Sequence, residues 1–284
     1  MATLRDTIKE ISRVHADNGN YIIGQCLSAI GWVNGTVPNV KNIIELPIVE
    51  LTGAGIACGI AITGSRPILV IRFQDFMILN GSVLINFAAK RKDIFKKTCP
   101  LFVRALSIEG KGTGGTHSGK LHSTFMHFPG FRIYAPITPN EYKECWVDFM
   151  AHDDPAICFE SRLTFDNEEE MPDICKPKSG FTIYAISLAR GNALKVARRL
   201  NCNFVNIYKL KPLEFQPVNT KGLVVDTGFE SCSAGRDIAY QLMLKTGKRH
   251  EVLGLKDVSV GCNVGSENLT STEEEIFNKC KTLM

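Results

Sequence analysis

Residues 42–73 read NIIELPIVELTGAGIACGIAITGSRPILVIRF, and their alternation sets the fold class. Two runs of aliphatic and β-branched residues, 42–49 and 68–73, flank a stretch at 51–63 where small and apolar residues recur at helical spacing. Short apolar strands joined by a helix describe a βαβ unit, whose strands run parallel and are buried on both faces.

The pattern extends both ways. Residues 1–18 place Leu4, Ile8 and Ile11 among Arg5, Asp6, Lys9, Glu10 and Arg13, an amphipathic opening helix rather than a signal peptide. Downstream, 79–97 predicts a helix with Val83, Phe87, Arg91 and Phe95 at i+4 steps. Strands are predicted at 101–106, 131–135 and 156–160, with a helix at 141–152. The segment 166–177, DNEEEMPDICKP, then gathers acids and prolines and reads as a solvated linker. Beyond it the pattern resumes: strands at 181–188, 204–210 and 222–226, helices at 192–200, 235–245 and 272–281. The expected architecture is an α/β fold in two domains: 1–165 with a parallel sheet, a linker at 166–178, and a smaller α/β domain at 179–284.

Composition excludes several classes. With 284 residues, 44% hydrophobic and 22% charged, the chain can bury a sizeable core and is not a disordered one. Thirty-three basic against 29 acidic residues leave a net charge of +4, and the run Lys90-Arg91-Lys92 reads as a solvated helix face, so no nucleic-acid partner is expected. The ten cysteines show no C-x-x-C spacing. Structural zinc is therefore not expected, and the thiols read as small hydrophobes in a reducing compartment. The apolar stretch 53–64 is too short to span a bilayer, and a cytoplasmic protein is expected.

Three motifs are weaker than they look. Gly110-Lys111-Gly112-Thr113-Gly114-Gly115 fits G-x-G-x-x-G, but the next strand ends in Pro136-Ile137-Thr138 rather than the acid a dinucleotide fold requires. Gly114-x4-Gly119-Lys120 is followed by Leu121, where a P-loop needs Ser or Thr. His117, His122 and His127 are five apart, so they do not converge on one metal and no metal ligands are assigned.

Two residues carry more promise. Glu50 stands between an apolar extended segment and a helix with Gly53, Ala57 and Ala61 at i+4. It is either an acid at a helix N-terminus or a buried acid with a raised pKa. His117 follows a glycine-rich loop and precedes a helical segment. That suits an acid–base group on a mobile element, or a loop histidine with no task.

Several ordered stretches add up to a resemblance. Residues 45–66, ELPIVELTGAGIACGIAITGSR, run into PILVIRFQDF and INFAAK. GGTHSGKLHSTFMHFPGFRIYAPITPNE follows at 114–141, and HDDPAICFES at 152–161. Together they resemble the beta subunit of the thiamine-diphosphate-dependent first component of 2-oxo acid dehydrogenases, in the transketolase-like superfamily. FTIYAISLA and GLVVDTGFESCSAGRDIA, in the second half, are similar to the transketolase-type C-terminal domain.

The resemblance implies site roles residue by residue. Glu50 stands where the family's glutamate hydrogen-bonds a ring nitrogen of the cofactor's aminopyrimidine. Phe76 matches the aromatic on which that ring stacks, or is a core residue beside Phe73. His117 matches the active-site histidine, and His127 a position that looks structural. Gln25 departs from the pattern, because many relatives have Gly-Glu-Asp where this chain has Gly24-Gln25-Cys26.

The superfamily's Gly-Asp-Gly motif, which anchors diphosphate through Mg²⁺, does not occur. The resemblance thus implies an alpha-type partner carrying the diphosphate and Mg²⁺ site, an α2β2 assembly, and decarboxylation of a 2-oxo acid. The alternatives are ketol or acyl transfer to a sugar or aldehyde, as in split transketolases, and a non-catalytic assembly subunit.

Overall fold

The computed structural model describes residues 2–111, 113–263, 265 and 267–284. Helix α1 (Leu4–Asp17) starts from a capping box on Thr3. Strand β1 (Ile22–Gln25), a short left-handed turn α2 (Gly31–Gly35), β2 (Ile43–Leu46), α3 (Glu50–Ile62) and β3 (Ile68–Ile71) follow. Next come α4 (Met77–Val83), α5 (Arg91–Phe95), β4 (Phe102–Ser107), α6 (His122–Met126), β5 (Arg132–Tyr134), α7 (Pro139–Met150) and β6 (Ala156–Ser161). The second half holds β7 (Phe181–Ile186), α8 (Ala189–Leu200), β8 (Asn203–Ile207), β9 (Lys209–Lys211), β10 (Lys221–Phe229), α9 (Ala234–Thr246), β11 (His250–Leu255) and α10 (Glu273–Leu283). The single helix predicted at 79–97 is α4 and α5 joined by a π-helical stretch, Leu84–Ala89.

Seven strands form one sheet in the order β2-β1-β3-β4-β6-β5-β9, and four form a parallel second sheet, β11-β10-β7-β8. The expected strand at 204–210 divides. Asn203–Ile207 joins the second sheet, and Lys209–Lys211 crosses to pair antiparallel with β5. The first sheet is therefore parallel through six strands with one antiparallel edge, contributed by the second half of the chain.

Period-two alternation distributes its side chains. Val103 and Ala105 of β4 pack with α3 and α4, while Phe102 and Leu106 pack with α1 and α7. On the α1/α7 side the fully buried Arg104 makes two 2.8 Å bonds to Glu160 of β6. A buried guanidinium persists only when paired in this way.

The apolar layer over the α3 face is shared: Ile207 and Val224 of the second sheet pack in the same cluster as Leu69 and Val103. Gly53, Ala57 and Ala61 of α3 face that layer. The outward face instead presents Leu51, Ile56 and Ile62, with open space at Gly55 and Gly59. All ten cysteines are free and six are buried. Among the described residues no helix is long and apolar enough to cross a membrane.

Candidate functional site

Strands β2 and β3 lie on opposite sides of β1, so the chain reverses its winding direction there. The carboxyl ends of strands at such a reversal leave a crevice. A narrow cleft with room for little more than one water, about 10 Å³, occupies that place, lined by Gly24 and Gln25 from β1, Val70 and Ile71 from β3, and Glu50, Phe76 and Asn80. Its floor is bare because no side chain fits at Gly24, where a Cβ would lie 2.7 Å from Leu27 and 2.9 Å from the Val70 carbonyl oxygen.

Glu50 is the first residue of α3 and is half-buried. Of the two surroundings left open by the sequence, the structure has the helix N-terminus, where the macrodipole favours a carboxylate. Its carboxylate has no hydrogen-bond or ion-pair partner among the described residues. Gln25 and Phe76 share the cleft with it. Phe76 sits on the turn after β3, held by the Asn80 amide, which donates to its carbonyl at 2.9 Å.

His117 stands outside the cleft lining but adjoins it. Its ring meets Phe76 at 5.6 Å and Phe73 at 4.5 Å, both edge-on. The 74–76 turn also holds the segment just after His117. Asp75 accepts from the Gly119 N–H at 3.0 Å, and Gln74 from the Leu121 N–H at 3.1 Å. Aromatic wall and histidine are thus one connected unit.

The three histidines separate, as their spacing predicts. His122 is buried, with Nε2 2.8 Å from Asp226 of β10. Asp226 also accepts from the Gly228 and Gly235 N–H groups; burial opposes its charge, but His122 and these donors hold its pKa below the usual carboxylate range. His127 packs on Phe128 at 5.4 Å. Gly112 of the G-x-G-x-x-G match lies outside the described residues.

Sequence reasoning missed two groups beside the site. Arg72, just after β3, and Arg162, just after β6, flank the Phe73 ring at 5.4 and 5.0 Å. Among the described residues neither pairs with a carboxylate, and the Nε of each is buried without a partner. Burial pushes Arg162 down to about 10, helped by Arg72 and Arg104. A charged residue closing an apolar strand, as in VIRF, was the available signal.

The second group is Lys120, which closes the glycine-rich loop by touching Glu109 and donating to Ser107 Oγ at 3.0 Å. Burial favours loss of its proton, against Asp75 and Asp226 and the touching Glu109.

The cleft carries residue types suited to the pyrimidine end of the implied cofactor, aliphatic and aromatic walls with an unpartnered carboxylate able to share a hydrogen bond with a ring nitrogen, but as it stands it is too narrow to admit the ring. Among the described residues no three acidic, histidine or cysteine side chains are placed to hold a metal.

Residues 10–166 match the family described as transketolase, pyrimidine binding domain. The chain is 27% identical over 226 residues to the mitochondrial pyruvate dehydrogenase E1 component subunit beta of Ascaris suum, covering 70% of this chain and 63% of that one. It is 29% identical over 225 residues to the acetoin:2,6-dichlorophenolindophenol oxidoreductase subunit beta of Cupriavidus necator, covering 71% and 67%. The first match thus spans less than two thirds of its relative. Among solved structures, an inactive beta4 tetramer of a split-gene transketolase superposes with a TM-score of 0.71 at 12% identity, covering 99% of this chain and 97% of that one. The transketolase of Campylobacter jejuni superposes with a TM-score of 0.72 at 19% identity, covering 98% of this chain and 44% of the other.

Proposed function

Since the chain belongs to the family of transketolase pyrimidine-binding domains, we propose that it is the beta-type subunit of a two-subunit thiamine-diphosphate enzyme that decarboxylates a 2-oxo acid. The observation that carries this reading is the cleft at the β1/β3 reversal, where the unpartnered Glu50 faces the Phe76 wall and His117 packs on the same Phe76. When bound, thiamine diphosphate supplies a nucleophilic carbon and an electron sink for breaking a bond beside a carbonyl.

The chain's own residues bind, orient and move protons. Phe76 offers its face to the aminopyrimidine. Glu50 holds a hydrogen bond to a ring nitrogen. His117, with Nδ1 3.0 Å from Thr116 Oγ1, has its other ring nitrogen available to orient the substrate or exchange a proton with it. Gln25, lacking an ionisable group, contributes hydrogen bonding only.

An alpha-type partner carrying the diphosphate and Mg²⁺ site belongs to this reading, in an α2β2 assembly. Its support is the exposed apolar residues that neighbour the cleft residues in sequence: Ile48 at 71%, Leu51 at 55% and Ile78 at 60% exposure. Such exposure around a site marks a surface that another chain covers.

A second reading, ketol transfer from a phosphorylated sugar, has one observation in its favour. Two unpaired guanidiniums at Phe73, next to His117, match a dianionic phosphate better than a single carboxylate. The two readings separate by product. A 2-oxo acid with an artificial electron acceptor gives acceptor reduction in the first, and a sugar phosphate with an aldehyde gives a new ketose in the second.

The test of the common core is calorimetric titration of thiamine diphosphate with Mg²⁺ into this chain alone and into its complex with the copurifying partner. Binding only in the complex is expected. No binding to a well-formed complex overturns the catalytic reading and leaves the assembly-subunit alternative.

A further inference from the structure

The glycine-rich loop that carries His117 runs from the end of β4 to the start of α6, and its two ends are joined beneath it. Glu109 opens the loop and Lys120 closes it; both are buried, and their side chains touch. Lys120 Nζ also donates to Ser107 Oγ at 3.0 Å. Glu109 accepts from Ser107 Oγ at 2.8 Å and from Ser161 Oγ at 2.9 Å. Ser107 and Ser161 are register partners at the carboxyl ends of β4 and β6, so the ion pair is anchored to the sheet.

The rest of the loop is seated closely on its neighbours. Ser118 Oγ donates to the Gly114 carbonyl at 2.9 Å and accepts the Asn268 N–H at 3.2 Å. A Cβ at Gly119 would lie 2.7 Å from the carboxyl carbon of Asp75, and one at Gly114 would lie 2.8 Å from Cys262 Sγ. Burial works against the Lys120 charge, while Asp75 of the 74–76 turn and Asp226 of β10 work for it.

These tethers differ in kind. A neutral hydrogen bond is exchanged for one to water at little net cost. A buried ion pair is not, because parting it strands a charge in the interior. Joining residue 109 to residue 120 also closes the residues between them into a ring, which has fewer conformations than an open loop. His117 itself is held by weaker contacts, the edges of Phe73 and Phe76 and the Thr116 hydroxyl. Where its imidazole stands therefore depends on how the loop backbone is held.

We propose that Lys120 and Glu109 are positioning residues for His117: their ion pair ties the loop to the ends of β4 and β6 and so sets the imidazole against Phe76. The inference rests on the reading of His117 as the group that meets the substrate. Neither Lys120 nor Glu109 lines the Glu50 cleft, so their effect passes through His117 and not through the cofactor.

The test compares the parent with E109Q/K120M, which removes both charges with little change in volume, in the complex with the copurifying partner. Turnover should fall about tenfold or more, since a displacement of about 1 Å costs a reacting group on the order of 100-fold. KM and the Kd of thiamine diphosphate should stay within about threefold, and amide hydrogen exchange at 113–119 should quicken. The control R190M/E141L removes a buried ion pair between α8 and α7 and should turn over as the parent does. Parent-like turnover in E109Q/K120M, an equal fall in the control, or a loss of cofactor affinity that matches the loss of turnover each overturns the proposal.

Two further arms keep the test decisive. A parent complex inactive toward both substrate classes removes the reading of His117 instead. Hydrogen exchange then judges the tie alone, with quickened exchange at 113–119 in the variant sustaining it and unchanged exchange overturning it. Should E109Q/K120M not fold, S107A takes its place, since it removes one bond from each partner and leaves both charges. A fall in kcat of about threefold with quickened exchange is then expected, and parent-like values of both overturn the proposal.

Discussion

Phe76 touches both halves of the candidate site: it walls the cleft that holds Glu50, and its ring lies 5.6 Å from that of His117. Position along the chain separates these residues widely. The carboxyl ends of β1 and β3 bring them together, with the 74–76 turn holding the segment that follows His117.

Replacing Glu50 by Gln should lower turnover by about 100-fold or more, the scale of a lost proton-transfer group. The fold should persist, because Glu50 is half-buried and no partner among the described residues depends on its carboxylate. Steady-state rates with matched thermal melts check this, and an undiminished rate would discard the cofactor assignment.

His117→Ala should slow a substrate-dependent step while leaving cofactor affinity within about threefold, an effect on the order of 0.6 kcal/mol or less. Calorimetric Kd beside kcat and KM separates the two. A collapse of cofactor affinity with the fold intact would move His117 from the substrate to the cofactor.

Arg190 and Glu141 form a buried clamp joining α8 to the capped start of α7. Glu141→Gln should cost about 3–5 kcal/mol of stability, because it strands a buried guanidinium. The pair R190M/E141L should recover much of that loss. Urea unfolding at pH 7.5 gives both values, and a double variant as unstable as the single one would show that the capping role of Glu141 dominates.

Acid should destabilise the fold through two histidines. His15 and His250 are buried, and burial is the main influence lowering their pKa. The unfolded chain then binds protons that the native chain refuses. Stability contributed this way is present above the unfolded histidine pKa of about 6.5 and is lost as pH falls below it. For His15 the geometry gives the reason. Its Nε2 bonds to the Arg66 carbonyl at 2.6 Å, while Nδ1 faces the Asn20 amide Nδ2 at 3.5 Å, so a second ring proton would meet a donor. Unfolding midpoints from pH 7.5 to 5.5 should fall, and His15→Gln should flatten that slope. A slope unchanged by His15→Gln would assign the loss to other groups.

Much of the fold was legible because its signals are local. The runs at 68–73 and 101–106 became β3 and β4 to within two residues, since buried parallel strands must be continuously apolar. The helix at 79–97 was harder. Its i+4 pattern is real, but the π-helical stretch Leu84–Ala89 breaks the register, and periodicity alone does not distinguish an added residue per turn. The strand at 204–210 split for a nonlocal reason, since its last residues complete an edge of the other sheet.

The sequence by itself determined the α/β class, most of the strands and helices though not β1 or β11, and the family resemblance. These follow from periodicity and from motifs written in consecutive residues. Tertiary structure decided which side chains share one space. It put Glu50, Gln25 and Phe76 in a cleft, seated His117 beside Phe76, and left Arg72 and Arg162 unpaired at Phe73. Charge balance and burial depend on what lies across the sheet, often fifty or more residues away, and no local pattern encodes that distance.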